Sequence, residues 1–242
     1  VIHSFRPPSL EELYSEGPHL AAYSFEIGNP QLDAERGLGL ELFLRYNTNR
    51  IQTQFTGYSN RFSNYLYARD TGEQSISDPS LNNFQFVGAR AHFLGIEFSG
   101  QVQITKGLTA GGTLSYTFAE RDVSEEERNI TGFEETTRPL PMIPPVQGSI
   151  FLQQKIDNFT ISTRFSSIGR QTRLGEFESP TDGYNLLNAS VQYRFSTTNL
   201  LHTVSLSGSN LLNTRYRNHL SRIKEVFPAP GRNISLLYRV FF

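Results

Sequence analysis

Gly231-Arg232-Asn233-Ile234-Ser235-Leu236-Leu237-Tyr238-Arg239-Val240-Phe241-Phe242 is the last stretch of the chain, and its alternation decides the fold. Ile234, Leu236, Tyr238, Val240 and Phe242 point one way, while Asn233, Ser235 and Arg239 point the other. A strand has a side-chain period of two, so this segment has one apolar face and one mostly polar face. Soluble domains rarely end on an aromatic residue in mid-strand. A barrel in an outer membrane does, because its last strand closes the wall.

Composition is compatible with that reading. The chain has 242 residues, 37% of them apolar, and no run reaches the roughly eighteen apolar residues of a membrane helix. Barrel strands alternate and look polar on average, so a barrel stays open. Net charge is −1, which gives no electrostatic case for nucleic acid. There are 19 Phe, 11 Tyr and no Cys, and the lack of thiols fits an oxidising compartment. The chain begins on Val1 without a leader-like segment, which suggests a removed leader or a piece of something longer.

Working back from the C-terminus, alternation recurs at 200–208, 185–195, 159–165, 146–156, 108–118, 92–104, 51–57 and 37–46. With the last segment this predicts about nine strands, with an earlier one cut near the N-terminus. Asn47-Thr48-Asn49, Lys106-Gly107, Asp157-Asn158 and Ser196-Thr197-Thr198-Asn199 are tight hairpin turns. They alternate with long polar segments at 59–83, 120–145, 166–183 and 209–232, with 1–33 preceding the first strand. Short periplasmic turns at one end and long extracellular loops at the other are the pattern of bacterial outer-membrane barrels.

The charges inside the strands agree. Glu41, Arg45, Glu97, Lys155, Arg164, Arg194 and Arg239 all have the parity opposite to the apolar stripe, as residues lining a wet lumen would. A charge on the lipid face near the midplane costs about 2–4 kcal/mol. A soluble antiparallel sheet with one solvated face has the same parity, but not the loop asymmetry. Nine strands is an odd number, and an unclosed sheet in lipid leaves edge groups that each cost several kcal/mol. The chain therefore reads as the C-terminal portion of a larger antiparallel transmembrane β-barrel.

Several segments resemble TonB-dependent outer-membrane receptors. At the C-terminal end these are Asn210-Leu211-Leu212-Asn213 with Tyr216, then Pro228-Ala229-Pro230-Gly231-Arg232-Asn233 and the strand to Phe242. Pro139-Leu140-Pro141-Met142-Ile143-Pro144-Pro145 is similar to the proline-rich lead into a descending strand. Phe5-Arg6-Pro7-Pro8-Ser9-Leu10-Glu11-Glu12-Leu13-Tyr14 resembles an extracellular segment of such receptors, and Gly28-Asn29-Pro30-Gln31-Leu32 with Glu35 is similar to their entry into the next strand. The resemblance implies a barrel of about twenty-two strands, of which residues 1–242 supply the last nine to ten. The plug domain, the short motif gripped by TonB and the first half of the barrel lie outside them. It further implies an outer-membrane importer of a metal ion or metal chelate, driven by TonB, with no resident cofactor and no catalysis. Partners implied are TonB through the plug, outer-membrane lipid, the metal-bearing ligand, and the barrel-assembly machinery through the strand ending in Phe242.

Candidate binding residues lie in the loops. Gly17-Pro18-His19-Leu20-Ala21-Ala22-Tyr23-Ser24-Phe25-Glu26 is similar to a loop of metal-importing receptors, including a zinc-uptake branch. His19 and Glu26 have the ligand chemistry for zinc or iron, with Tyr23 between them. His219 belongs to the last loop, and a solvated loop histidine is the plainer reading of both it and His19. Arg170 and Arg173, with Arg61 and Arg69, suit an anionic siderophore through bidentate contacts. The run Arg121-Asp122-Val123-Ser124-Glu125-Glu126-Glu127-Arg128 reads as a solvated loop tip or an attractor for a cationic complex. His92 and His202 have lipid-facing parity near strand ends, suited to interfacial packing. Zinc, ferric siderophore, haem and cobalamin all remain open as substrates. A passive porin-like channel is the alternative, and a barrel enzyme lacks a recognisable nucleophile-and-base grouping among five scattered histidines.

Overall fold

The computed structural model describes residues 1–132 and 134–242, and for Glu126, Ile130 and Thr131 the backbone only. Its elements are β1 (Ile2–Arg6), α1 (Leu10–Tyr14), β2 (Glu16–His19), β3 (Ser24–Ile27), β4 (Glu35–Asn47), β5 (Ile51–Gln74), β6 (Asn82–Gln103), β7 (Leu108–Asp122), α2 (Glu125–Thr131), β8 (Thr137–Pro139), β9 (Gln147–Ile156), β10 (Phe159–Ile168), β11 (Tyr184–Thr197), β12 (Leu200–Ser209) and β13 (Asn233–Phe241). Ten strands follow one another across the sheet in the order β1-β4-β5-β6-β7-β9-β10-β11-β12-β13. No helix among the described residues is long and apolar enough to cross a membrane.

The expected strands are all present, and the N-terminal one is β1, paired with β4 from Ile2 opposite Gly39 to Arg6 opposite Glu35. The two outermost strands, β1 and β13, do not pair with each other, so the sheet stays open within this chain. The hairpin turns are built from local side chains. Thr48 Oγ1 accepts from the Ile51 N–H at 2.9 Å, Thr105 Oγ1 accepts from the Leu108 N–H at 3.2 Å, and Asp157 adopts φ 48°.

Register confirms two distinct faces, because directly opposed residues point the same way. Leu44, Phe55, Phe98 and Leu114 form one cross-strand row on the outer face. On the inner face Arg45 donates to Gln54 Oε1 at 2.8 Å, and Thr113 and Ser149 hydroxyls meet at 2.9 Å. Arg164 donates to Ser149 Oγ at 2.8 Å, while Thr203 stands opposite both Arg194 and Arg239. Glu41, Glu97 and Lys155 are opposite Tyr58, Thr56 and Thr160 on the same inner face.

The segment 59–83, expected as a long loop, is mostly strand. β5 continues to Gln74 and β6 begins at Asn82, leaving 75–81 as the connection. The reason is a bulge between Phe62 and Tyr65 that shifts the pairing by one residue. A one-residue shift exchanges the faces, so the period-two pattern breaks although the strand does not. The N–H of Leu66 just beyond it is satisfied by Glu35 Oε2 at 3.1 Å, and Glu35 is within 3.4 Å of Arg6. The segment 1–33 likewise is not all loop. Its β2–β3 hairpin docks through β3 in parallel on β6, Ser24 opposite Asn82 to Ile27 opposite Gln85.

Candidate functional site

At the end of the sheet away from the tight turns, the inner face builds a small core. Ala91, Ala119 and Leu140 are buried, with Phe62, Tyr65, Tyr67, Phe93 and Ile143 packed on them. Phe62 and Phe93 meet edge to face at 5.6 Å between centroids, and Tyr65 lies 5.1 Å from Phe93. Residues 139–145 form a proline-rich strap across this core, anchored where the Leu140 N–H donates to the Ala119 carbonyl at 3.3 Å. Between strap, strand ends and the last two loops lies a cavity of 420 Å³. Its lining combines the rings of Tyr65, Tyr67, Phe84 and Phe93 with the charges of Asp70, Glu176, Glu178, Glu225, Arg222 and Lys224, and Arg222 lies 5.0 Å over the Phe84 ring.

One carboxylate ties this rim together. Glu178 Oε1 accepts from the Met142 N–H at 3.1 Å and from Lys224 Nζ at 3.1 Å, and Glu178 Oε2 accepts from the Gly175 N–H at 3.0 Å. His219 Nε2 is 3.0 Å from Glu178 Oε1 without being aligned as a hydrogen bond, while Thr181 Oγ1 is 3.0 Å from His219 Nδ1. The side chains are 7%, 1% and 7% exposed for Glu178, His219 and Lys224, so the cluster is a closed ion network. Burial pushes the Glu178 carboxyl up, but His219, the Gly175 N–H and Lys224 outweigh it and bring it down to about 2.

The residues singled out in the sequence are distributed as follows. His19 and Glu26 do come together, with Nδ1 3.0 Å from Oε1. The same oxygen accepts from Arg222 at 2.7 Å, bridging the first and last loops. Burial raises the Glu26 carboxyl, yet His19 and Arg222 together hold it below the usual range. A guanidinium so close competes with any cation, and among the described residues no cluster of three metal-ligating side chains exists. Tyr23 caps a short turn with φ 53° and is 43% exposed. His219 is locked away from solvent, as above. Arg173 lies 3.5 Å above the Phe118 ring and donates to Glu120 Oε2 at 3.1 Å, on the outer side of β7. Arg170 is exposed, 3.7 Å from Asp182.

The acidic run is no loop tip. Ser124 caps α2 by accepting from the Glu127 N–H, and buried Arg121 donates twice to the Glu127 carboxylate at 2.8 and 2.7 Å. That pairing is also the first cause holding the Glu127 carboxyl down. Arg61, expected in a loop, sits in β5 opposite His92. Glu178, Lys224, Arg222 and the Tyr65–Tyr67 pair were not singled out by sequence. Nothing in their local pattern separates them from other loop charges or strand aromatics.

The family model described as TonB dependent receptor-like, beta-barrel matches residues 1–211. Among solved structures, the copper transporter OprC superposes with TM-score 0.74 at 20% identity, covering 98% of this chain and 35% of its own. The siderophore receptor PirA from Pseudomonas aeruginosa gives TM-score 0.65 at 19% identity, covering 99% and 38%. A G324V mutant of the ferric enterobactin receptor PfeA from the same organism gives 0.64 at 16%, covering 99% and 37%. The chain thus spans little more than a third of the structures it matches.

Proposed function

The chain belongs to the TonB-dependent receptor β-barrel family, and from that premise we propose that residues 1–242 form the C-terminal wall and loops of an outer-membrane importer for a metal ion or metal chelate. The strand rows supply the lipid-facing belt and the polar lumen. The loops, tied into one rim by Glu178 and by the Glu26–Arg222 bridge, supply the surface where ligand is first held. TonB supplies the energy through a plug outside these residues. The observation that carries the reading is the rim cavity. Its aromatic lining of Tyr65, Tyr67, Phe84 and Phe93 suits a flat chelate through stacking, while its two bases, Arg222 and Lys224, are already paired with Glu26 and Glu178.

Uptake of radiolabelled ferric chelates and of copper tests this in cells producing the full-length protein, with and without functional TonB. Accumulation against a gradient that stops without TonB is the expected result. Uptake indifferent to TonB would make the protein a passive channel and sink the importer reading.

A further inference from the structure

Above the apolar belt, the outer face of the sheet carries an unbalanced group of arginines. One cross-strand row reads Leu38, Arg61, His92, Glu120 from β4 to β7. Arg36 and Arg90 each stand two residues from a member of that row, on the side away from the tight turns, which makes both diagonal neighbours of Arg61. Diagonal positions are about 7–8 Å apart, within reach of long side chains. All three arginines are exposed. Arg61 and Arg90 have no hydrogen bond or ion pair with any described side chain, and Arg36 has only the Phe5 ring, 6.0 Å away. The acids nearby are Glu120, taken by Arg173, and Asp122 at the end of β7.

Their height is informative. From Ile51 at the tight-turn end to Arg61 is ten residues of β5, about 33 Å along the strand. At a barrel tilt of about 40° that is roughly 25 Å along the membrane normal, the height of an outer-membrane apolar band. The arginines therefore sit where acyl chains give way to headgroups.

Directly below them the outer face is hollow. A 740 Å³ depression is lined by Leu40, Leu42, Phe55, Leu94, Ile96 and Phe118. Its floor is Gly57, flanked by Leu42 and Ile96 across the strands. A Cβ placed on Gly57 would meet nothing within 4 Å, and the residue has no positive φ that would demand glycine. What glycine provides here is space, in a strand where it otherwise weakens packing.

We propose that Arg36, Arg61 and Arg90 with the Gly57 groove form a docking site for a phosphorylated acyl lipid of the outer leaflet. The phosphate is held on the guanidinium groups, which match its geometry, and an acyl chain lies in the groove. The inference rests on the outer-membrane reading above and adds a specific lipid partner to it.

The test uses the full-length protein in phosphatidylcholine bilayers, exposed to a bis-phosphorylated acyl glucosamine disaccharide (lipid A) or its dephosphorylated counterpart, then examined by native mass spectrometry. Wild type is expected to retain the phosphorylated lipid and not the dephosphorylated one. The pair Arg61→Gln and Arg90→Gln should weaken retention about thirtyfold, from about 1 kcal/mol per cation near a charged lipid surface. Gly57→Leu, whose Cβ would meet nothing within 4 Å and whose side chain would take up groove space, should also weaken it while the barrel still inserts. Equal retention of both lipids, retention unchanged in the double variant, or displacement by excess inorganic phosphate would overturn the lipid site while leaving the importer reading intact. Failure of wild type to insert as a heat-modifiable barrel would instead overturn the outer-membrane reading and this site with it.

Discussion

Glu178 receives two backbone N–H groups and a lysine while pressed against His219, all within about one side-chain length. A carboxylate so held stabilises the docked loops only while it is ionised. Its usual value is 4.5 and its folded value about 2. The stabilisation is therefore complete above about pH 4.5, and it drains away as the pH falls towards 2. The shift corresponds to about 3 kcal/mol. Amide exchange of residues 175–182 and 219–226 should accelerate across that window, and Glu178→Gln should flatten the dependence. Glu178→Ala strands buried Lys224 without a counter-charge, so local opening should become easier by about 3–5 kcal/mol, read by protease cleavage of the two loops. At the other bridge, Arg222 occupies the carboxylate oxygen that a metal would need. Arg222→Gln should raise zinc affinity at His19 and Glu26 several-fold in a calorimetric titration, and no change would remove that pair from the metal-binding candidates.

Individual strands and the strap test the two-faced wall. Leu114 and Thr113 are adjacent in β7, one facing outward beside Phe98 and the other inward beside Ser149. Leu114→Arg should cost about 2–4 kcal/mol of folding stability in bilayers, whereas Thr113→Arg should cost far less. Equal costs would mean that the outer face is not in lipid. The β5 bulge is a second case. Glu35→Ala leaves the buried Leu66 N–H without its acceptor and should cost about 1–3 kcal/mol in a urea titration. β5 was legible only as far as Gly57 because the outward residues that follow, Ser59 and Arg61, are polar. Past Phe62 the bulge then changes its inward residues from even to odd numbers.

For the molecule as a whole, the decisive feature is an ordered ten-strand sheet whose two outer strands do not meet. Each unpaired edge presents backbone donors and acceptors that hydrocarbon cannot satisfy. Residues 1–242 produced alone in detergent should therefore associate through β1–β4 and β13 rather than form a heat-modifiable monomer, which light scattering would detect. A stable monomeric barrel from these residues would mean that the strands close in a way the sheet order does not contain. The rim has the opposite character. The strap and the first and last loops are already cross-tied by Glu178 and Glu26, so this end is built to hold its shape.

The period-two series ending in Phe242, the tight turns at Asn47-Thr48-Asn49, Lys106-Gly107 and Asp157-Asn158, and the parity of Arg45, Arg164 and Arg239 were enough to read the wall from sequence. Strand alternation and turn chemistry are local, so neighbouring residues carry them in full. Contacts between residues distant in sequence are not local. Glu26 meets Arg222 across 196 positions, and Glu178 meets Lys224 across 46. Neither partner carries a mark that names the other, and His219 looks the same in sequence whether solvated or buried. The same holds for Arg36, Arg61 and Arg90, which become one cluster only when register brings three strands side by side. The sequence determined the faces, because a side chain's direction follows from its own strand. Only the tertiary structure decided which charges are spent on each other and which stay free for a ligand or a lipid, because that depends on strand register and loop docking.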